Sequence, residues 1–249
     1  MIKQITSTLK WRNPFRVLRE KWYEVPTCMT RISTKDLLNY SDEDLLNHWT
    51  QVRLDETTGE NFGLRGWYHQ LYKDYFSGKK ILDVGSGFGV DGITFAQNSA
   101  NVTFVDIIET NLELLKRICS ILKLKNVDFF YLESINAIEQ LPINYDVIWC
   151  MGSLIHAPFD FIQQESHELL KHLKIGGRWI ELGYPEQRWI REGKMPFEKW
   201  GEKTDGGAPW VEWYDLEKIK LRFSPSQFDV VLSFNFHHDD FNWFDLIKK

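Results

Sequence analysis

The run Lys80-Ile-Leu-Asp-Val84 is short and apolar, and it ends in Gly85-Ser-Gly-Phe-Gly89 with a helix-like Val90–Gln97 behind it. Alternate glycines after a strand allow a tight left-handed turn and let a ligand approach main chain that a Cβ would obstruct. The next apolar segment, Val102–Val105, closes at Asp106, 21 residues after Gly85. A carboxylate there can accept hydrogen bonds from ribose hydroxyls. Neither feature says much alone; a glycine loop after one strand and an acid at the end of the next together specify a nucleoside-cofactor site.

The alternation continues. Leu112, Leu115, Cys119 and Leu122 share a helical face within Leu112–Leu124, and strand-like runs follow at Val127–Leu132 and Tyr145–Cys150. A helix over Asp160–Leu173, a Gly176-Gly177 turn and a strand over Arg178–Leu182 come next, then a helix at Asp215–Arg222 and strands at Asp229–Phe236 and Asn242–Ile247. This spacing predicts an α/β fold: a doubly wound, mostly parallel, seven-stranded sheet closed by an antiparallel pair, with its ligand crevice at the carboxyl ends of the strands. Residues 1–76 read as a helical cap or arm, with helices over Thr34–Leu46 and Trp67–Phe76 and a break at Thr57–Gly63. Ser41 followed by Asp44 suggests a capping box. Residues 77–249 form the main domain, carrying a Trp- and Gly-containing insertion over 184–214; the cap and the insertion are expected to meet over the crevice.

Composition bounds the partners. At 249 residues, 43% hydrophobic and 26% charged, the chain is of ordinary globular make-up. No apolar run approaches the ~18 residues of a membrane span, and no secretory signal opens the sequence. Cys28, Cys119 and Cys150 have no ligand spacing, which predicts free thiols in a reducing compartment, the cytoplasm. The net charge of −5 is uneven: residues 1–31 hold seven Lys or Arg against two Glu. The remainder is therefore acidic, unlike a bulk nucleic-acid binder. The basic leader also carries Trp11, Phe15, Trp22 and Tyr23; it either packs as an amphipathic arm or touches an anionic substrate, a membrane surface or RNA.

A dinucleotide fingerprint would want Gly or Ala where Val90 stands. Asp83-Val-Gly85-Ser-Gly87-Phe-Gly89 instead resembles the first motif of the class I S-adenosylmethionine-dependent methyltransferases, an acid, a hydrophobic residue and GxGxG. The resemblance spans about residues 79–183. It implies a Rossmann-like methyltransferase fold that binds S-adenosylmethionine and releases S-adenosylhomocysteine. Asp106 matches the family's ribose-binding acid, and Ile107 its apolar adenine contact. Ser134 and Ile135 fall where the family contacts adenine, Ser134 replacing the usual Asp. Tyr145-Asp-Val-Ile-Trp-Cys-Met151-Gly-Ser-Leu-Ile-His156 looks like the fourth motif, and Leu170–Trp179 resembles the following helix, Gly-Gly turn and strand. On this basis Asp83, Gly85, Ser86, Gly87, Gly89, Asp106, Ile107, Ser134, Ile135 and Met151 are cofactor-site candidates. Arg65, between Gly63 and Gly66, is a candidate clamp for the methionine carboxylate.

In that chemistry the cofactor carries an activated methyl, and the protein supplies alignment and, for a hydroxyl acceptor, a base. His156, after the fourth strand, is the candidate base, though a packing or substrate-contact role is open. Trp210, Trp213 and Tyr214 either stack on a ring-shaped polar acceptor or pack the insertion onto the sheet. His237 is a further candidate acceptor contact, within a His237–Asp240 cluster that reads as a polar hairpin turn rather than a metal site. The expected reaction is methylation of a hydroxyl on a polar small molecule, with a sugar or a surface-glycan or secondary-metabolite precursor favoured. Amine N-methylation and RNA methylation are the alternatives, and an Asn-Pro-Pro-Tyr-type motif is absent after the fourth strand. Nicotinamide oxidoreduction would require the loop to tolerate Val90.

Overall fold

The computed structural model describes residues 13–23, 32–204 and 207–249. Within them the seven expected strands form one sheet: β1 Lys80–Val84, β2 Asn101–Asp106, β3 Val127–Tyr131, β4 Tyr145–Met151, β5 Leu173–Gly183, β6 Phe228–Phe236 and β7 Phe241–Lys248. Their order is β3-β2-β1-β4-β5-β7-β6. The first five run parallel, and β7 lies antiparallel between β5 and β6. β1 is central, so the loop after it sits where the strand order reverses, the place at which such sheets hold ligands.

Alternation along the strands assigns two cores. Leu82, Val84, Ile148 and Cys150 face one side, while Ile81, Val147 and Trp149 face the other. On the second side lie α2 (Thr34–Leu37), α3 (Asp42–Thr57), α4 (Gly66–Tyr72), α5 (Val90–Gln97) and α6 (Glu109–Ile121). Leu45, Trp49, Tyr68 and Tyr72 bury there against Ile93, Phe95 and Leu115. The first side carries α1 (Pro14–Trp22), α7 (Phe159–His172), α10 (Leu216–Phe223) and the insertion with α8 (Glu186–Arg191) and α9 (Phe197–Thr204). No helix among the described residues is long and apolar enough to cross a membrane.

Two expectations change in detail. The helix over 34–46 is two helices, because the Ser41 hydroxyl accepts the Asp44 N–H at 3.1 Å and starts α3 afresh. The cap is also divided. Among the described residues of 1–76, α1 lies against the crevice with the insertion, whereas α2–α4 bury their apolar faces on the opposite side of the sheet. The long apolar faces of α3 and α4 need a sheet to cover them, and a crevice rim offers none.

Candidate active site

The glycine loop is tied to β2 before any ligand is considered. The Gly85 and Ser86 N–H groups both donate to the Val105 carbonyl, the Ser86 hydroxyl donates to Asp83 O at 2.7 Å, and that hydroxyl accepts from Val105 N at 3.0 Å. Gly85 has φ +73°, and a Cβ there would come within 2.4 Å of the Ser153 Cβ. Gly89, at φ +70°, starts α5 with Leu115 packed where its Cβ would be. Asp106 is buried at the end of β2, where it accepts from Ile108 N at 2.8 Å, Gly87 N at 3.0 Å and Asn111 Nδ2 at 3.2 Å. Burial outweighs these hydrogen bonds and pushes its carboxyl up to about 6.

Two adjoining cavities share Gly85, Gly87 and Met151. The smaller, about 150 Å³, is lined by Glu56, Arg65, Asp83, Ser86 and Asp91 among others. Here Arg65 is held by Glu56 at 3.1 Å and Asp91 at 3.0 Å. Asp91 in turn accepts from Trp149 Nε1 at 3.0 Å and is paired with His69. Burial alone would raise the Asp91 carboxyl, but Arg65 together with His69 and Trp149 holds it well below the usual range. Asp83 is pushed up by burial and by the neighbouring Asp91. The result is a fixed guanidinium at the edge of the glycine loop.

The larger cavity, about 280 Å³, runs from Gly87, Asp106 and Ile107 past Met151 to His156, Ile162 and Glu165. Its outer wall is α1, through Phe15, Leu18 and Trp22. That helix is strapped to the sheet by Arg19, which donates to the carbonyls of Ile107 at 3.0 Å and Leu132 at 2.9 Å and also to Glu133 O. His156 is 6% exposed, with its ring 4.7 Å from Trp22 centroid to centroid and its Nδ1 3.3 Å from the Trp210 carbonyl. A carbonyl only accepts, so Nδ1 carries hydrogen and the lone pair of the neutral ring lies on Nε2. Glu165 is 5% exposed, and burial lifts its carboxyl to about 7 against a partial offset from Arg222.

Asp83, Gly85, Ser86, Gly87, Gly89, Asp106, Ile107, Met151, Arg65 and His156 therefore all line one cavity or the other. Ser134 is exposed, Ile135 packs into the core beside it, and neither lines a cavity; Leu132 does, since the chain turns away beyond it into a 3-10 helix. Tyr214 is fully buried, Trp213 lies under the Lys218 ammonium at 4.2 Å, and Trp210 reaches His156 with its carbonyl. These aromatics pack the insertion onto the sheet. His237 is exposed in the β6–β7 turn, away from both cavities. Among the described residues no group of three or more His, Cys, Asp or Glu could hold a metal ion. Glu56, Asp91, Glu165 and the α1 wall were missed by sequence reasoning. Only α1 left a trace, in the aromatic residues of its basic leader.

Residues 81–177 match the family model described as a methyltransferase domain. The match covers about two fifths of this chain. Around it the sheet order is that of the class I methyltransferase fold. Curated proteins similar to it include the mitochondrial ubiquinone biosynthesis O-methyltransferase of Schizosaccharomyces pombe, 34% identical over 43% of this chain and 39% of that protein. The ubiquinone biosynthesis O-methyltransferase of Rickettsia akari is 34% identical over 44% of this chain and 41% of its own length. The similarity thus spans about two fifths of the length of these relatives. Magnesium protoporphyrin IX methyltransferase from Synechocystis PCC 6803, solved with bound SAH, shares the fold with a TM-score of 0.54 at 18% identity, covering 83% of this chain and 97% of that one. The N-methyltransferase NodS of Bradyrhizobium japonicum WM9 gives a TM-score of 0.56 at 14% identity over 86% and 96%.

Proposed function

We propose that this protein is an S-adenosylmethionine-dependent O-methyltransferase acting on a small acceptor whose reacting hydroxyl lies beside His156. The observation that carries the reading is one continuous crevice, with Asp106 and the glycine loop at one end and His156 at the other. The residues fit the cofactor: a buried carboxylate ends β2 for ribose hydroxyls, Ile107 and Leu132 offer apolar surface to a base, and Arg65 presents a fixed cation to a carboxylate. When bound, that cofactor supplies a methyl already activated on a sulfonium. His156 contributes a proton acceptor at Nε2, its ring oriented by the Trp210 carbonyl. The α1 helix closes the crevice and keeps water from the reacting hydroxyl.

The acceptor end favours a flat, largely apolar molecule over a sugar. Phe15, Leu18, Trp22, Leu154 and Ile162 wall it, and Trp213 and Tyr214 of the insertion, which would have stacked on a sugar, pack on the core instead. The likeness to ubiquinone biosynthesis O-methyltransferases supports the same choice. A crevice walled on one side by α1 also favours a small acceptor over RNA. Buried, unpaired thiols at Cys119 and Cys150 support the cytoplasm as its compartment; Cys28 lies outside the described residues. The test is a calorimetric titration of S-adenosylmethionine and S-adenosylhomocysteine into the wild type and Asp106→Ala, with NADH as the control ligand. Binding of both sulfur compounds, weakened by the substitution, is expected; binding of NADH in their place would overturn the reading.

A further inference from the structure

Glu165 is a buried carboxyl that neither the fold nor the proposed methyl transfer uses. It sits on α7 one turn after Ile162, and both side chains line the acceptor end of the crevice, on the helix that begins just past His156. Among the described residues no group donates a hydrogen bond to it. The cation it senses, Arg222, is fully buried and commits its two terminal nitrogens elsewhere: Nη1 donates to Glu181 Oε1 at 3.0 Å and Nη2 to Glu181 Oε2, which also accepts from Trp179 Nε1 at 2.7 Å, while Nε has no hydrogen-bond partner and makes none to Glu165. Arg222 therefore attracts Glu165 without satisfying it. Buried polar groups in native proteins are overwhelmingly hydrogen-bonded, and a carboxyl turned to an apolar-walled cavity carries a desolvation cost that Arg222 offsets only in part. A ligand donor would offset it.

We propose that Glu165 is the acceptor-recognition group of this crevice, receiving a hydrogen bond from a second donor, hydroxyl or amine, that the acceptor carries away from the atom to be methylated. The inference rests on the acceptor-end reading given above. It narrows the acceptor class from any flat apolar alcohol or phenol to one bearing two separated polar groups. The reacting hydroxyl goes to His156 and the second donor to Glu165, while Trp22, Phe15 and Ile162 cover the body between them. The carboxyl of Glu165, lifted to about 7 by burial, is partly ionised near neutrality, so a donor ligand draws it to the carboxylate. A site meant only to hold α7 on the sheet would have no use for an ionisable group on the cavity side. Leu169 and Leu170, further along the helix, bury apolar groups for that purpose.

The experiment uses three probes that differ only at the distal position: para-hydroxybenzyl alcohol, para-hydroxybenzylamine and para-ethylphenol. Each is titrated into the full chain saturated with S-adenosylhomocysteine, in the wild type, Glu165→Leu and Glu165→Gln. In the wild type at least one donor-bearing probe should bind about tenfold or more tightly than para-ethylphenol. In Glu165→Leu that preference should vanish while para-ethylphenol binds as before. In Glu165→Gln part of the alcohol preference should persist and the amine preference should go, and this variant decides the matter if the Leu substitution does not fold. Which donor is preferred in the wild type identifies it as neutral or cationic. A wild type that binds none of the three, or ranks them equally, overturns the proposal, as does a preference that survives both substitutions. If S-adenosylhomocysteine itself does not bind, the cofactor reading fails separately, and the same three titrations without it still decide Glu165.

Discussion

At its glycine-loop end the crevice is made mainly of two short runs of sequence, residues 83–91 and 105–111, joined by Glu56, Arg65 and Met151, whereas at its far end Phe15 and Trp22 meet His156 and Glu165 from segments more than a hundred residues apart. The first end is held by main chain: Gly85, Ser86 and Gly87 are fixed by hydrogen bonds to Val105 and Asp106. The second is held by side-chain packing between α1, α7 and the insertion, with Arg19 as a strap and the Trp210 carbonyl as a stop for His156. A main-chain site tolerates little change in its residues. A packed site can change its acceptor by exchanging a few side chains while the loop and sheet stay as they are.

The comparison breaks most visibly at His156. Substitution by Ala should lower turnover by about 10²–10⁴-fold while leaving S-adenosylhomocysteine affinity within a small factor, because the proposed role of the imidazole is at the acceptor end. Single-turnover rates alongside calorimetry separate the two. If turnover is unchanged, His156 is a packing residue against Trp22 and the proton leaves by another route.

That difference also explains what was legible beforehand. The strands, their order class, the loop and Asp106 could be read because each signal is local: alternation of period two, glycine where φ is positive, an acid at a strand end. Arg65 could be suspected from its glycine neighbours, but not its lock on Asp91, since Glu56, His69, Asp91 and Trp149 share no local pattern. Trp210, Trp213 and Tyr214 looked like a stacking cluster because aromatic composition does not say which way a ring faces. Glu165 was invisible, being one acid among several on an amphipathic helix until the fold turned it toward the crevice.

Asp106→Ala tests the glycine-loop end. It removes the acceptor for Gly87 N–H and Asn111 as well as for ribose, so S-adenosylhomocysteine affinity should fall by about 10- to 100-fold. Any residual turnover at saturating cofactor should stay near normal. A loss in turnover with unchanged affinity would mean that the two ends are not separable.

Arg19→Ala probes the strap that joins the ends, and its effect should be smaller. Three carbonyls, those of Ile107, Leu132 and Glu133, lose their donor, and α1 keeps the packing of Phe15, Leu18 and Trp22. Dissociation of S-adenosylhomocysteine should speed up by a few-fold, with little change in association, because the strap matters once the crevice is closed. Stopped-flow displacement reads this directly. Equal changes in both rates would place α1 outside the path of the ligand.

The mildest test is pH, and its sign distinguishes the two ends from bulk titration. Asp106 and Glu165 are raised to about 6 and about 7 by burial, so between about pH 4 and 7 the folded protein holds protons that the unfolded chain has released. Their contribution to stability is therefore greatest at low pH and declines as pH rises through those values. Asp91, held low by Arg65, works oppositely: its contribution is complete above the ordinary Asp range and is lost only in strong acid. Cofactor binding should run against the first trend. In the proposed reading ribose hydroxyls donate to the Asp106 carboxylate, so S-adenosylhomocysteine affinity should climb several-fold as pH rises through about 6 and then level off. The ligand-induced increase in melting temperature should grow over the same window in which the free protein loses stability, and Asp106→Asn should flatten it while Glu165→Gln leaves it in place. A ligand shift that is flat with pH in the wild type would mean that Asp106 is already ionised throughout, with Gly87, Ile108 and Asn111 outweighing its burial.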